Sequence, residues 1–290
     1  MPDGAPRGVR DLLADACARL EAAGVDTASL DARLLLSNVT GREAAWILAH
    51  PEAELSGAEG DAFEALVMRR VAREPVSHIL GMREFWSLSL SMGPDVLTPR
   101  PDSETLIEAV VEHRPDRMGD LRLLDLGTGS GCLLLALLSE YPDASGLGVD
   151  ISEPALRIAE ANALRLGFGV RSAWRLSDWT VGIEGRFDVI VANPPYIESA
   201  AIDALEPEVA RYEPRAALDG GEDGCDPYRL LFAQLLRVMK ENALVFLEHG
   251  AGQSDAICTL GEAAGFRVVQ LCRDLADIDR VVVLEHSAAR

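Results

Sequence analysis

Apolar residues recur every three or four positions through the first 80 residues of the chain. The segment VRDLLADACARLEAAGV places Val9, Leu12 and Leu20 on one helical face, and Gly24 ends the run. The same period returns in SLDARLLLSNVTG, GREAAWILAHP and SGAEGDAFEALVMRRVAREP, the last beginning at Ser56 or Asp61. Several short helices joined by short loops predict a small all-helical domain over residues 1–83.

The hydrophobic period changes from helical spacing to two near residue 84. FWSLSLSM alternates between two faces, and the Gly-Pro-Asp sequence at 93–95 is a turn signal. We therefore predict a β-hairpin over residues 84–101 that links two domains, with a helix starting near Asp102. Phe85 and Trp86 are interpreted as packing residues of this hairpin.

Strand and helix patterns alternate after residue 120. The predicted strands are LRLLDLG (121–127), SGLGVDI (145–151), RSAWRL (171–176), FDVIVANP (187–194), ALVFLEH (243–249), FRVVQLC (266–272) and RVVVLEH (280–286). The predicted helices between them cover residues 131–140, 153–166, 227–240 and 253–264. Nearly continuous apolar strands are typical of a parallel sheet that is buried on both faces. We therefore predict an α/β, Rossmann-like, doubly wound sheet of seven strands over residues 102–290. The last strand is expected to be antiparallel, because RDLADID is too short for a crossover helix.

The composition of the chain bears on disulfides, metal sites, nucleic-acid binding and the cellular compartment of the protein. The five cysteines form no Cys-x-x-Cys pair and the five histidines show no metal-ligand spacing, so neither a disulfide framework nor a metal site is expected. The net charge is −20, which disfavours an open groove for duplex nucleic acid, although a local basic patch would be compatible with it. No signal peptide and no run of about 18 apolar residues is evident, so a cytoplasmic protein is expected.

A glycine-rich turn follows the first strand of the predicted sheet, in LLDLGTGSGCLLLALL. Gly127, Gly129 and Gly131 permit a tight turn and the close approach of a ligand. The dinucleotide fingerprint would require glycine at Cys132, so the spacing favours a nucleoside without a pyrophosphate. Asp150 ends the next strand, where a carboxylate can accept hydrogen bonds from ribose hydroxyls. A plain βα turn and a helix-capping aspartate are the alternatives, but the combination predicts a nucleoside site.

The stretch IVANPPY runs from a buried strand into two prolines, which cannot continue a sheet ladder. The Asn193 side-chain oxygen and the Pro194 carbonyl then offer two acceptors at the sheet edge, and these suit the two hydrogens of an –NH₂ group. The face of Tyr196 can stack on the planar system that carries this group. The pattern predicts methylation of an sp² nitrogen, with catalysis by positioning and electrostatic preorganisation. The alternative is a Pro-Pro loop with a chance tyrosine.

DLGTGSG, GVDIS and NPPY together resemble class I S-adenosylmethionine-dependent methyltransferases of the amino-methylating type. This type includes adenine-N6 DNA, guanine-N2 ribosomal RNA and protein glutamine-N5 enzymes, which the motif does not separate. Longer segments do separate them, because residues 74–106, 193–229 and 247–253 closely resemble the HemK/PrmC family of release-factor glutamine methyltransferases. The resemblance implies methylation of the Gly-Gly-Gln glutamine in peptide chain release factors, which act in translation termination. It also implies that the helical domain helps to recognise this protein substrate.

The resemblance assigns roles to individual residues. It implies that S-adenosyl-L-methionine, with S-adenosyl-L-homocysteine as product and no metal, is held by Gly127, Thr128, Gly129, Ser130, Gly131, Asp150, Trp179 and Asn193. The glutamine amide would be clamped by Asn193, Pro194, Pro195 and Tyr196, of which Asn193, Pro194 and Tyr196 are the expected catalytic residues. Arg100 and Glu213 are expected to pair, to position the loop over the site, or to be solvated at the surface.

Other functions remain open at this level. A nucleic-acid amino-methyltransferase would need a basic groove and usually a target-recognition insertion, and an acidic chain of 290 residues shows neither. A glutamine methyltransferase acting on a ribosomal protein would differ mainly in its N-terminal domain. A non-catalytic cofactor-binding protein would not need the Asn-Pro-Pro-Tyr motif. The expected partner is therefore a release factor, without direct nucleic-acid or membrane contact.

Overall fold

The computed structural model describes residues 8–287, which fold into two compact units. The first contains the described residues through Gly81 together with Glu206–Tyr212. The second contains Met82–Leu205 and the described residues from Glu213 onward. The division into domains at residues 83 and 101, and the recognition role of the first part, stay predictions.

The first unit is helical, as the sequence predicts. Its helices before residue 82 are α1 (Val9–Ala22), α2 (Ala28–Thr40), α3 (Ala44–Ala49), α4 (Gly57–Val71) and α5 (Val76–Leu80). Leu20, Leu35 and Phe63 are fully buried in its core. Of the two candidate starts for α4, the structure selects Ser56, whose hydroxyl accepts a hydrogen bond from the Glu59 N–H while the Glu59 carboxylate accepts one from the Ser56 N–H.

The second unit begins with a hairpin, and a second turn follows it. Strands β1 (Met82–Phe85) and β2 (Leu88–Ser91) pair antiparallel, and the turn lies at Trp86 and Ser87, with φ of 50° and 60°. The turn predicted at 93–95 is present, with the Val96 N–H donating to the Gly93 carbonyl oxygen at 3.4 Å, but it follows β2 and does not join the two strands. The turn that joins them carries no such sequence signal, because it takes positive φ at both central residues without the usual Gly or Asn. Phe85 is buried and Trp86 Nε1–H donates to Glu140, as expected of packing residues.

The rest of the second unit is a sheet with helices on both faces. After a 3₁₀ turn at Pro101–Ser103, its elements are α6 (Glu104–His113), β3 (Arg122–Leu126), α7 (Cys132–Glu140), β4 (Ser145–Asp150), α8 (Glu153–Arg165), β5 (Ser172–Leu176), β6 (Phe187–Ala192), α10 (Asp226–Gln234), β7 (Met239–Glu248), α11 (Ser254–Ala263), β8 (Phe266–Arg273) and β9 (Asp279–His286). Helix α9 (Pro207–Tyr212) belongs to the first unit.

The strand order is β5-β4-β3-β6-β7-β9-β8, and β9 is antiparallel to both neighbours. This confirms the predicted seven-stranded sheet with an antiparallel last strand. Successive strand residues enter opposite cores: Leu123 and Val189 pack on one face, and Leu124 and Ile190 on the other. The strands are therefore apolar throughout because both faces are covered.

The helix predicted over residues 227–240 is wrong at its C-terminal end. Helix α10 ends at Gln234, a 3₁₀ turn covers Leu235–Val238, and β7 begins at Met239. Leu235, Val238 and Met239 are all buried, so they extend the helical spacing of apolar residues although the chain has left the α-helix.

Helix α9 is held in the first unit by charged side chains. Arg70 is 5% exposed and contacts Asp31 at 2.8 Å and Glu208 at 2.7 Å. Arg73 also contacts Glu208, at 2.6 Å. The Tyr212 hydroxyl donates to the Ala72 carbonyl oxygen at 2.8 Å. A segment far along the chain is thus part of the helical unit.

Between residues 8 and 287, no helix has both the length and the apolar character required to cross a membrane.

Candidate active site

A cavity of about 380 Å³ opens at the carboxyl ends of β3, β4 and β6, where open α/β sheets bind their ligands. Its volume falls in the range of about 300–1,000 Å³ that is typical of small-molecule sites. The predicted site residues that line it are Gly127, Thr128, Gly129, Ser130, Asp150, Trp179, Asn193 and Pro195. The other predicted residues, Gly131, Pro194 and Tyr196, lie outside the lining.

The three glycines of the turn share a positive φ but differ in their surroundings. Their φ values are 74° at Gly127, 55° at Gly129 and 82° at Gly131. A Cβ on Gly129 would meet nothing within 4 Å, so its backbone faces open space. A Cβ on Gly131 would lie 3.0 Å from the Trp174 ring and 3.2 Å from Ala159 Cβ. Gly129 therefore leaves room for a ligand, whereas Gly131 permits the close packing at the start of α7.

The Asp150 carboxylate is oriented by two backbone donors. Its Oδ2 accepts a hydrogen bond from the Gly129 N–H at 2.9 Å, and its Oδ1 accepts one from the Ser152 N–H at 2.8 Å. Each carboxylate oxygen has a further lone pair, so both can still accept a hydrogen bond from a ligand. The residue lines the cavity, so these lone pairs can face a ligand there; its role at a ribose stays a prediction.

Beneath the glycine turn lies a buried carboxyl group that sequence reasoning missed. Asp125, in β3, is 0% exposed and accepts a hydrogen bond from the Thr128 hydroxyl at 2.5 Å. Burial raises the pKa of Asp125 to about 7, although the Thr128 hydrogen bond opposes this rise. The available signal was a single acidic residue within an apolar strand. Its contact with Thr128 supports the conformation of the turn.

Trp179 lies beside the glycine turn, near Gly127, and its backbone is in a strained conformation. Its φ is 52°, which a non-glycine residue rarely adopts, and the Ser177 hydroxyl donates to its carbonyl oxygen at 2.9 Å. The ring edge lies 3.6 Å from the position that a Cβ on Gly127 would occupy. The half-buried ring lines the cavity and is available for stacking on a planar group such as a nucleobase. Strain of this kind concentrates at functional sites.

Asn193 follows β6 directly and enters the cavity lining. Its Nδ2 donates to the Ser103 hydroxyl at 3.2 Å, which directs Oδ1 away from Ser103. Within residues 8–287, neither Asn193 Oδ1 nor the Pro194 carbonyl accepts a hydrogen bond. Neither acceptor is thus occupied within the described chain, but only Asn193 lines the cavity and Pro194 is buried, so the joint use of both acceptors by a substrate stays a prediction.

The backbone after the two prolines is fixed by close contacts. The Tyr196 carbonyl accepts a hydrogen bond from Gln253 Nε2 at 2.9 Å, and Gln253 Oε1 accepts one from the Gly250 N–H at 2.9 Å. A Cβ on Gly224 would overlap the Tyr196 carbonyl oxygen. The Tyr196 ring lies beside Gly250, and burial raises its pKa to about 12. The stacking role of Tyr196 stays a prediction.

Arg100 and Glu213 form an ion pair, one of the alternatives expected for them. Arg100 Nη2 lies 2.7 Å from Glu213 Oε2, and Glu213 Oε1 accepts a hydrogen bond from the Thr98 N–H at 3.3 Å. Burial raises the pKa of Glu213 despite the neighbouring guanidinium. Residues close to both partners, such as Leu97 and Pro214, line the cavity. The pair therefore joins two segments of the cavity wall.

Sequence reasoning also missed Glu248, at the carboxyl end of β7, as a site residue. This residue is 1% exposed, and burial raises its pKa to about 7. The available signal was an acidic residue at the end of a predicted apolar strand, but its relevance depends on which strand lies beside it. In the part of the chain that the structure describes, no cluster of three or more His, Cys, Asp or Glu side chains could hold a metal ion.

Comparisons with known proteins identify the family and the fold of this chain. A family model described as the PrmC N-terminal domain matches residues 11–81, and one described as a methyltransferase small domain matches residues 101–211. A methyltransferase structure from Pyrococcus furiosus, 16% identical, covers 77% of this chain and 97% of its own with a TM-score of 0.50. This likeness concerns the fold alone.

Two curated relatives carry the name release factor glutamine methyltransferase. The protein from Rhodospirillum rubrum is 46% identical, over 93% of this chain and 83% of its own length. The protein from Caulobacter vibrioides is 45% identical, over 91% of this chain and 92% of its own length. The resemblance carried by the quoted segments is thus confirmed, and this chain belongs to the release factor glutamine methyltransferase family.

Proposed function

We propose that this protein transfers a methyl group from S-adenosyl-L-methionine to the side-chain amide nitrogen of the glutamine in the Gly-Gly-Gln motif of peptide chain release factors. The observation that carries this proposal is the pair of free acceptors, Asn193 Oδ1 and the Pro194 carbonyl, beside a cavity with a nucleoside-type lining. The names of the relatives support the choice of substrate.

The residues present fit the cofactor. Gly129 leaves open space at the turn, Asp150 has lone pairs for hydroxyl donors, and Trp179 offers an aromatic face. These three features lie around one cavity of about 380 Å³. They would hold the nucleoside part of S-adenosylmethionine, with Asp150 at the ribose and Trp179 at the adenine.

When bound, the cofactor supplies an electrophilic methyl group on a sulfonium, which is a good leaving group. The chain has to orient an amide nitrogen, whose lone pair is delocalised into its carbonyl and which is therefore a weak nucleophile. Asn193 Oδ1 and the Pro194 carbonyl would each accept one hydrogen of this –NH₂ group. Fixing both hydrogens orients the nitrogen and favours the pyramidal geometry in which its lone pair becomes available. The product amide carries one hydrogen less, so one proton is released.

The protein substrate distinguishes this proposal from its alternatives. The net charge of −20 is unfavourable for binding nucleic acid along an open groove, because such binding requires the neutralisation of phosphates. We assign recognition of the release factor to the helical unit and locate the reaction in the cytoplasm. Membrane contact forms no part of the proposed reaction.

Mass spectrometry tests the proposal. Purified protein is incubated with S-adenosylmethionine and an unmodified release factor, and the digest is searched for one added methyl group on the Gly-Gly-Gln peptide. The matched control is a release factor with alanine in place of this glutamine. Methylation of the glutamine in the first sample and none in the second is the expected result. A protein that binds the cofactor but methylates a ribosomal protein or a nucleic acid instead would contradict the assigned substrate.

A further inference from the structure

Glu248 lies beside Asn193 at the carboxyl edge of the sheet. Strands β6 and β7 are parallel neighbours, and their register pairs Ala192 with Leu247. Asn193 directly follows Ala192, and Glu248 directly follows Leu247. The backbones of Asn193 and Glu248 are therefore about one strand separation apart, which is about 4.8 Å. Glu248 is absent from the cavity lining, whereas Asn193 and Ser103 belong to it. Glu248 thus lies behind Asn193 as seen from the cavity.

The carboxyl group of Glu248 is costly to bury. The residue is 1% exposed, and its Oε2 has no hydrogen-bond partner within the described part of the chain. Burial raises the pKa of this carboxyl to about 7; the nearby Ser103 hydroxyl, Arg280 charge and Asn193 side chain oppose this rise, whereas the charge of Asp102 adds to it. A buried carboxyl that is only partly satisfied destabilises a fold. Packing therefore does not explain this residue.

An asparagine amide has nearly the same shape after a half-turn about its last bond, but its donors and acceptor exchange places. If Asn193 turned in this way, Nδ2 would face the cavity. It would then present hydrogens to a substrate –NH₂ group that itself needs an acceptor. A fixed acceptor on the protein side prevents this, because it retains Nδ2. Ser103 supplies one such acceptor at 3.2 Å.

We infer that Glu248 is a positioning residue which, together with Ser103, holds Asn193 Nδ2 on the protein side and so keeps Oδ1 directed into the cavity. The inference rests on the proposed function and adds to it the residue that orients one of the two acceptors. The Glu248 carboxylate is suited to this task because, when ionised, it can only accept hydrogen bonds. It acts through Asn193 and does not touch the substrate.

A double-mutant cycle tests the inference. Glu248→Gln keeps the size of the side chain but adds a donor, so both orientations of Asn193 become acceptable. We expect kcat for release-factor methylation to fall roughly 10-fold, the cost of about one lost or misdirected polar contact. The Kd of S-adenosylmethionine and the KM of the release factor should change little, because most of their contacts lie elsewhere. Glu241→Gln, at an exposed position of the same strand, should leave all three constants unchanged.

The decisive comparison uses Asn193→Ala as background. If Glu248 acts through Asn193, then adding Glu248→Gln to Asn193→Ala should cause no further fall in single-turnover rate. Losses that multiply in the double variant, or a wild-type kcat in Glu248→Gln alone, would overturn the inference. Should Glu248→Gln fail to fold, Glu248→Asp, which keeps the charge but draws the acceptor back from Asn193, replaces it in the same cycle with the same expectation. A wild-type protein that does not methylate the glutamine contradicts the proposed function instead, so the two failures are distinguishable.

Discussion

Asp150 accepts a hydrogen bond from the backbone N–H of Gly129 at 2.9 Å, and this bond joins the end of β4 to the glycine turn that follows β3. The same carboxylate lines the cavity. One side chain thus both fixes the conformation of the turn and offers lone pairs to a ligand. Its substitution should affect the binding of the cofactor through both contributions.

Asp150→Ala is expected to weaken S-adenosylmethionine binding by about 1.5–3 kcal/mol, the value of a hydrogen bond to a charged group. Asp150→Asn should weaken it less, because one oxygen remains to accept from Gly129 or Ser152. Isothermal titration calorimetry measures both values. Equal affinities for the wild-type protein and Asp150→Ala would show that the ribose contact is assigned to the wrong residue.

Asn193→Ala removes one of the two acceptors for the substrate amide. By analogy with the loss of one preorganised hydrogen-bonding group, kcat should fall roughly 10²–10³-fold. Asn242→Ala, an exposed position in β7, is the matched control and should retain full activity. The readout is the initial rate of methylation of the Gly-Gly-Gln peptide. Turnover at the wild-type rate by Asn193→Ala would contradict the proposed mechanism.

Gly224 and Gly252 form a matched pair for testing the support of Tyr196. Both have positive φ, at 72° and 80°, so this conformation alone should cost an alanine at either position about 1–2 kcal/mol of stability. A Cβ on Gly224 would overlap the Tyr196 carbonyl oxygen and lie 2.5 Å from Gln253 Nε2, whereas one on Gly252 would meet nothing within 4 Å.

The two glycine variants should therefore differ in activity as well as in stability, because only Gly224→Ala adds an overlap to the cost of the positive φ. Gly224→Ala has to displace the Tyr196 backbone or the Gln253 side chain, and its kcat should fall roughly 10-fold or more, since catalysis by positioning is sensitive to small displacements. Gly252→Ala should remain active. Thermal unfolding and methylation rates together give the comparison. Equal rates for the two variants would show that the position of Tyr196 is not required for catalysis.

Glu248 should make stability depend on pH. Burial raises its pKa from the ordinary 4.5 to about 7, so the folded protein binds a proton that the unfolded chain releases between these values. The contribution of this group to the free energy of unfolding is therefore largest below about pH 4.5 and is lost as the pH rises towards 7. At about 1.4 kcal/mol per unit of pKa shift, the loss is about 3 kcal/mol.

Glu248→Gln removes this dependence. The free energy of unfolding of the variant, relative to wild type, should rise between pH 5 and about pH 7 and level off at higher pH. Asp125 is also buried with a raised pKa, but it is present in both proteins and cancels in the difference. Urea unfolding at several pH values measures the difference. Parallel curves for the two proteins would show that Glu248 titrates normally.

The fold was largely predictable because the spacing of apolar residues along the chain indicates which positions are buried in the helical unit and on the two faces of the sheet. Strands buried on two faces give unbroken apolar runs, and the short RDLADID connection indicates the reversed last strand. The failures have local causes. The hairpin turns at Trp86 and Ser87 without glycine, and Leu235 and Val238 continue a helical spacing beyond the end of α10.

The placement of residues around the cavity was predictable where one short segment contains them, as in the glycine turn and Asn193. It was not predictable where the chemistry depends on strand order. Glu248 lies beside Asn193 only because β7 is the neighbour of β6 in the sheet, and the local sequence does not indicate this strand order. The different surroundings of the glycines could not be predicted either. Only the packing shows that Gly131 lies in close contact at the start of α7 and that Gly129 faces open space.

The ion pairs of Arg70 and Arg73 with Glu208 have a practical consequence for dissecting the protein. A fragment that ends at Gly81 keeps both arginines but lacks the Glu208 carboxylate, so Arg70 retains its contact with Asp31 and loses the one with Glu208. The complementary fragment keeps Glu208 without either guanidinium. Cutting the chain after Gly81 therefore does not separate the two units, because residues 206–212 belong to the first one. Chimeras that exchange the N-terminal helices among relatives should exchange residues 206–212 with them.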